Sequence, residues 1–288
     1  MNLGLLAAAR GRWQEAGKLQ QSALAEAEKE QMPEETAVSR RNLAELALMQ
    51  GDIADAVAQA DKAIELFHQR EDQRGEADTR LLRVQALLAA GADTDAQHEL
   101  KLLETGGTDA SLEQRAGVEI VRAELALHAN QTRNASALLD RAQPLAEASG
   151  VRELQLQVAL LRARIEPRAD TGLDASTASL GNAELRLQWL VLAMQRALAA
   201  RDSAAALRAY REAISLMRGS DVLDAAQIHS LGASAQRLAG DAPAAADADV
   251  AAATAKARFR ARLPAQLRDI APSASAAAPT AAKDQTTP

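Results

Sequence analysis

"GRWQEA" (residues 11–16), "GDIADA" (51–56), "GADTDA" (91–96) and "NQTRNA" (130–135) end on Ala16, Ala56, Ala96 and Ala135, at spacings of 40, 40 and 39 residues. Before each lies an apolar helical stretch: "LGLLAAA" (3–9), "LAELALM" (43–49), "RVQALLAA" (83–90) and "RAELALHA" (122–129). After them come amphipathic stretches such as "AVAQADKAIELF" (56–67) and "AQHELKLLE" (96–104). Each unit therefore reads as helix, tight turn, helix. Gly11, Gly51 and Gly91 stand where the first helix must stop, and glycine enters the left-handed conformation at little cost. Asn130 takes that place in the fourth unit, and Asn is the next most tolerant residue. Asp52 and Asp93 are placed to accept hydrogen bonds from the free amides opening the second helix. The closing alanine is small because two helix backbones approach there. One such hairpin cannot bury its own apolar face, so neighbours must stack.

Composition agrees with repeated helices. Of the 288 residues, 48% are apolar but only 2% are aromatic, so the apolar content is nearly all Ala, Leu, Val and Ile. Ala and Leu lose little side-chain freedom in a helix, and alternating β-branched runs are scarce. The chain reads as all-α, with thin contacts between Ala-lined helices. The net charge of −6 argues against direct nucleic-acid binding, which needs an excess of Lys and Arg. No cysteine is present, which excludes disulfides, thiol catalysis and Cys-ligated zinc. No apolar run is long enough to span a membrane, and no leader pattern opens the chain. The expectation is a cytoplasmic protein.

The residues Leu3, Gly4, Ala7, Gly11, Trp13, Ala16, Ala23 and Leu24 resemble the tetratricopeptide-repeat signature. The longer period of about 40 residues resembles the variety found in bacterial multidomain regulators, and "EDQRGEADT" (71–79) resembles the linker of that variety. Ile53, Asp93 and Thr132 depart from the turn aromatic, and Arg83 and Arg122 stand where Leu3 and Leu43 do. The resemblance implies a right-handed superhelical solenoid of antiparallel helical hairpins. It covers residues 1–262, with regular repeats over 1–149 and degenerate ones over 150–262.

In the second half, "ARDSAAA" (200–206) and "AGDAPAAA" (239–246) give Ala206 and Ala245, again 39 apart. Ala135 to Ala206 is 71 residues, short of two periods. The helical pattern of 151–165 fills part of that gap. Residues 166–182, with Pro167, Gly172 and Gly181, read as an irregular loop replacing a second helix. Residues 183–200 are apolar almost all round, as in a helix buried between neighbours. Residues 263–288 are expected to form a low-complexity, disordered tail.

The search for chemistry gives an interaction protein rather than an enzyme. His68, His98, His128 and His229 share no metal-ligand spacing, no phosphate-binding glycine loop occurs, and no nucleophile has a base. Glu34-Glu35 and Glu71-Asp72 are adjacent carboxylates, which point apart on a helix. No catalytic residue, cofactor or metal is expected. "KARFRAR" (256–262) reads as a C-terminal turn whose cations complement the helix dipole, with Phe259 covering the end of the stack. Trp13, Phe67 and Trp189 read as core.

The family resemblance implies that first helices form a concave wall that holds a protein or peptide. The inward residues would be Arg41, Glu45 and Met49 in the second unit and Leu81 and Gln85 in the third. In the fourth they would be Ile120, Glu124 and His128, with apolar contacts supplied by Leu48 and Leu88. Two further expectations accompany this one. The array could regulate an upstream kinase, nucleotide cyclase or winged-helix domain, because Met1 begins inside a repeat and leaves Leu3, Leu5 and Leu6 poorly covered. It could also self-associate into a homo-oligomer.

Overall fold

The described turns that hold Gly11, Gly51, Gly91, Asn130, Arg201 and Gly240 are closed by the same backbone device. At the end of the third helix, Gly51 N–H donates to the Leu48 carbonyl at 2.9 Å and Asp52 N–H to the Ala47 carbonyl at 2.8 Å. That pair of bonds requires a left-handed residue, and Gly51 supplies it at φ 69°. Asn130 adopts φ 57° in the equivalent place, as its tolerance suggested, and Arg201 is forced to φ 58° in a later hairpin. Side-chain caps then open the next helix: Asp52 accepts from Asp55 N–H, Asp202 from Ala205 N–H and Asp241 from Ala244 N–H. Asp93 departs from this pattern. It lies within the first turn of its helix rather than at the cap, and accepts from His128 Nδ1 at 3.1 Å instead.

The computed structural model describes residues 3–105, 110–166 and 172–268. Fourteen α-helices run through the described residues: α1 (Leu3–Ala9), α2 (Trp13–Lys29), α3 (Pro33–Met49), α4 (Ile53–Gln69), α5 (Gln73–Ala89), α6 (Asp93–Thr105), α7 (Leu112–His128), α8 (Thr132–Ser149), α9 (Arg152–Ile165), α10 (Leu173–Leu180), α11 (Ala183–Ala199), α12 (Ser203–Met217), α13 (Ala225–Leu238) and α14 (Ala242–Ala261). They pair as seven antiparallel hairpins. The segment read as a loop over 166–182 contains α10, an eight-residue helix between two left-handed glycines, Gly172 and Gly181. The degenerate repeat thus keeps a short second helix, whose buried Leu173 and Thr177 hold it to the stack.

Curvature follows from which helices touch. Odd-numbered helices contact the next odd-numbered ones, α1 with α3 through α11 with α13, while even-numbered helices pack mainly on their sequence neighbours. The first helices therefore form the inner layer of a right-handed superhelix. Close approach in this layer needs small residues: a Cβ on Gly117 of α7 would sit 2.5 Å from Leu81 Cδ2 of α5. Trp13, Phe67 and Trp189 are buried, as expected. So is most of the apolar surface of α11.

The superhelix also meets itself. Helix α1 touches α11, and Trp13 Nε1 reaches the Leu216 carbonyl at 3.4 Å. The tail boundary moves as a consequence: Leu263 and Leu267, in a short 3-10 turn region after α14, are buried against the core of α4–α7. Phe259 does not cover a free end, since it packs over Gly51 in the α3–α4 turn. The remainder of the expected tail, 269–288, lies outside the described residues.

Candidate functional site

The inner layer curls towards itself, as the α1–α11 contact shows, and carboxylates from distant parts of the sequence come near one another on its concave side, the lumen. Glu45 comes from the C-terminal half of α3 and Glu124 from the matching position of α7. Glu184 comes from the first turn of α11, and Asp224 caps α13. Because α11 and α13 lie across the superhelix from α3 and α7, helix starts on one wall oppose helix ends on the other.

Electrostatics shows how closely these groups approach. Burial pushes the Glu184 carboxyl up, and the charges of Glu45, Asp224 and Glu124 push it further, from 4.5 to about 7. Burial also raises Glu45, opposed by the Arg41 guanidinium. Glu124 is raised by burial against the opposing charges of Arg164 and His128, and Asp224 by burial against Arg164. Two arginines thus stand among four carboxylates. No hydrogen bond or ion pair reaches Glu184 among the described residues. Its cleft is lined by Trp13, Met49, Leu187, Gln188, Val222, Leu223 and Asp224, a largely apolar surround that strengthens the interaction between the two carboxylates.

The expected groove residues divide into three sets. Glu45 and Glu124 lie near enough to Glu184 for their charges to raise it, Arg41 acts on Glu45 in turn, and Gln85 occupies the same inner layer on α5. Leu48, Leu88 and Ile120 do not face a groove, because they are buried in the apolar layer between helices. Leu81 packs over Gly117, and the Met49 carbonyl accepts Leu223 N–H at 2.9 Å, so both are engaged by the chain itself. His128 sits at the exposed edge, held by Asp93.

Several arginines on the first helices serve the stack. Arg80 and Arg83 of α5 both bind the buried Glu99 of α6, and Arg83 also binds Asp61 of α4 at 2.7 Å. Arg40 binds Glu28 and Gln59, and Arg122 binds Glu119. Sequence reading missed Glu184, Asp224 and Arg164. The one local signal was a carboxylate at the start of an otherwise apolar helix. Among the described residues no three His, Cys, Asp or Glu side chains form a metal-holding group. Likewise, no helix there is long and apolar enough to cross a membrane.

Comparison with known proteins agrees with this architecture. Residues 1–69, which end with α4, match the tetratricopeptide repeat family model. A solved structure of a Rap protein complexed with competence and sporulation factor is similar in fold, with a TM-score of 0.65 at 14% sequence identity. The match covers 90% of this chain and 74% of that one. No match emerged among curated protein sequences. Over its first four helices the chain is thus similar to tetratricopeptide repeats, and as a whole it shares the helical-hairpin superhelix fold of the Rap structure.

Proposed function

We propose that this superhelix is a non-catalytic interaction module that binds an extended protein or peptide segment in its lumen. One observation carries the reading: the charges of Glu45, Glu124 and Asp224 all act on Glu184, which shares a cleft with Asp224 and has no hydrogen-bond or ion-pair partner among the described residues. A segment bearing Lys or Arg would neutralise that excess and would be favoured over an acidic one. Arg41, Glu45, Gln85 and Glu124 supply the near wall, with Glu184 and Asp224 opposite. The similar Rap structure holds a partner of its own, which fits a binding role for such a superhelix. A cytoplasmic setting is proposed with it, on the cysteine-free sequence.

The test is recovery of partners from cell extract by the full chain. The wild type is compared with a Glu45→Lys, Glu124→Lys double variant and with Asp247→Lys, an exposed change on α14. Proteins retained by the wild type and by Asp247→Lys, but lost from the double variant, are the expected result. Equal recovery by all three, with helical content unchanged, would remove the lumen as the binding surface.

A further inference from the structure

Helix α13 opens differently from its relatives. Asp52, Asp72, Asp202 and Asp241 each cap a helix with the side chain, from backbones at ψ 75° to 86°. Asp224 occupies the same place before α13, but its ψ is 8° and its carboxylate makes no cap bond. A nearly helical backbone does not turn the side chain back onto the free amides. Asp224 lines the cleft with Glu184 instead. The connection before it is pinned, because Leu223 N–H donates to the Met49 carbonyl of α3 at 2.9 Å.

The cleft built this way holds polar groups that the protein leaves unused. Glu184 and Asp224 make no side-chain hydrogen bond or ion pair among the described residues, and neither does Gln188, one turn after Glu184 on α11. Arg164 acts on Asp224 through its charge without pairing with it, and Arg41 is held by Asp78 at 3.7 Å. Both carboxylates are withdrawn from the surface, yet each keeps part of its area open to solvent. On α3, Asn42 shares a helix face with Glu45 and Met49. It is 2% exposed, and no hydrogen bond reaches its side chain among the described residues. The rest of the lining is apolar, and the Trp13 indole N–H is already committed to the Leu216 carbonyl. Carboxylates held in such a place without partners cost stability. An apolar slot ending at two acids matches an aliphatic stem that carries a cationic head.

We propose that the Glu184–Asp224 cleft is the anchor socket of the lumen and takes one lysine or arginine side chain of the bound segment. The stem lies along Met49, Leu187 and Leu223, and the head sits between the two carboxylates. This rests on the reading that the lumen binds a segment, and it adds the point at which the segment is held. A diffuse negative lumen would accept cations anywhere along its length, whereas a socket fixes the register of one residue. Charged hydrogen bonds formed there are strong because little water competes for them. The empty socket keeps two like charges together, and the bound cation relieves that repulsion. Glu184→Gln removes the same repulsion from the free protein, so it should weaken binding without weakening the fold.

Titration calorimetry on the full chain at about pH 8, where Glu184 is ionised, reads the socket with blocked alanine-serine peptides. Each carries one central lysine, arginine, norleucine or glutamate, and norleucine keeps the stem without the head. The lysine and arginine peptides should bind on the order of tenfold tighter than the norleucine peptide, and the glutamate peptide weakest of all. Glu184→Gln and Asp224→Asn should each weaken the cationic peptides on the order of tenfold. Asp247→Asn, which removes an exposed carboxylate of α14, should leave them unchanged. No preference for the cationic peptides, or equal binding by Glu184→Gln, overturns the socket. So does a Glu184→Gln protein that loses stability together with binding, since that marks a structural carboxylate. Free n-butylammonium should bind more weakly than the lysine peptide, and equal affinity overturns the peptide source in favour of a small amine. Proteins lost from the Glu45→Lys, Glu124→Lys variant but fully recovered by Glu184→Gln would leave the lumen as a binding surface and remove the socket. Proteins recovered equally by that double variant, with the lysine peptide still dependent on Glu184 and Asp224, would remove the wider lumen reading and leave the socket.

Discussion

Replacing Glu184 by Gln should stabilise the protein, and only above a certain pH. The folded carboxyl titrates at about 7 because burial and the charges of Glu45, Asp224 and Glu124 all disfavour its ionised form. In the unfolded chain it titrates near the ordinary 4.5. The folded state therefore holds a proton that the unfolded state has released between these two values, and stability falls as pH rises through that window. At about 1.4 kcal/mol per unit, the full gap would correspond to roughly 3–4 kcal/mol. The side chain keeps some contact with water, which screens the repulsion, so about 2 kcal/mol is the working figure. Glutamine has the same shape and no charge. Denaturant unfolding followed by far-UV circular dichroism should show equal midpoints below about pH 4.5, with the variant gaining up to the full amount above about pH 7. In heat, the gain corresponds to a rise of roughly 5 °C. Equal midpoints at about pH 8, or the same gain at both ends of the range, would refute the reasoning, since packing alone has no such pH dependence.

Three further outcomes test the frame around the lumen. Glu99→Gln should cost about 2 kcal/mol in urea unfolding, because it leaves Arg80 and Arg83 without the buried carboxylate that both engage. In Gly75→Ala the new methyl would lie 2.5 Å from the buried Phe67 ring, and a net loss of about 1–2 kcal/mol is expected despite alanine's better helix propensity. Gly51→Ala combines strain at φ 69° with contacts of 3.3 Å to Phe259 and 3.4 Å to the Leu223 backbone. It should lower the melting temperature by several degrees, read by circular dichroism on heating, about 2–4 °C for each kcal/mol lost.

Local order was plainly legible. The 39–40-residue period located the regular hairpins, and the turn glycines at 11, 51 and 91 do take left-handed values. Trp13, Phe67 and Trp189 fell in the core because apolar side chains at helical spacing have nowhere else to go. Misplacements arose where local rules compete with packing. Asp93 looked like a cap, yet Ala92 precedes the helix and Asp93 turns to His128. Residues 173–180 looked irregular between glycines, yet buried Leu173 and Thr177 make a helix there worth forming. Ile120 was assigned inward by alignment with its unit and Leu48 and Leu88 were expected to add apolar groove contacts, but all three are buried on faces turned to neighbouring helices.

What the sequence by itself determined is everything within one repeat: helix, left-handed turn, cap, helix, and the need to stack. Those features depend on residues a few positions apart, so periodicity carries them. The lumen belongs to the tertiary structure alone. Glu45 and Glu184 are separated by well over a hundred residues, and Leu223 meets Met49, as Arg262 meets Asp52, only because several hairpins lie between them in sequence. Each hairpin adds a small rotation to the last, and the rotations sum into a superhelix that returns on itself. No local pattern records that sum, and it decides which charges meet.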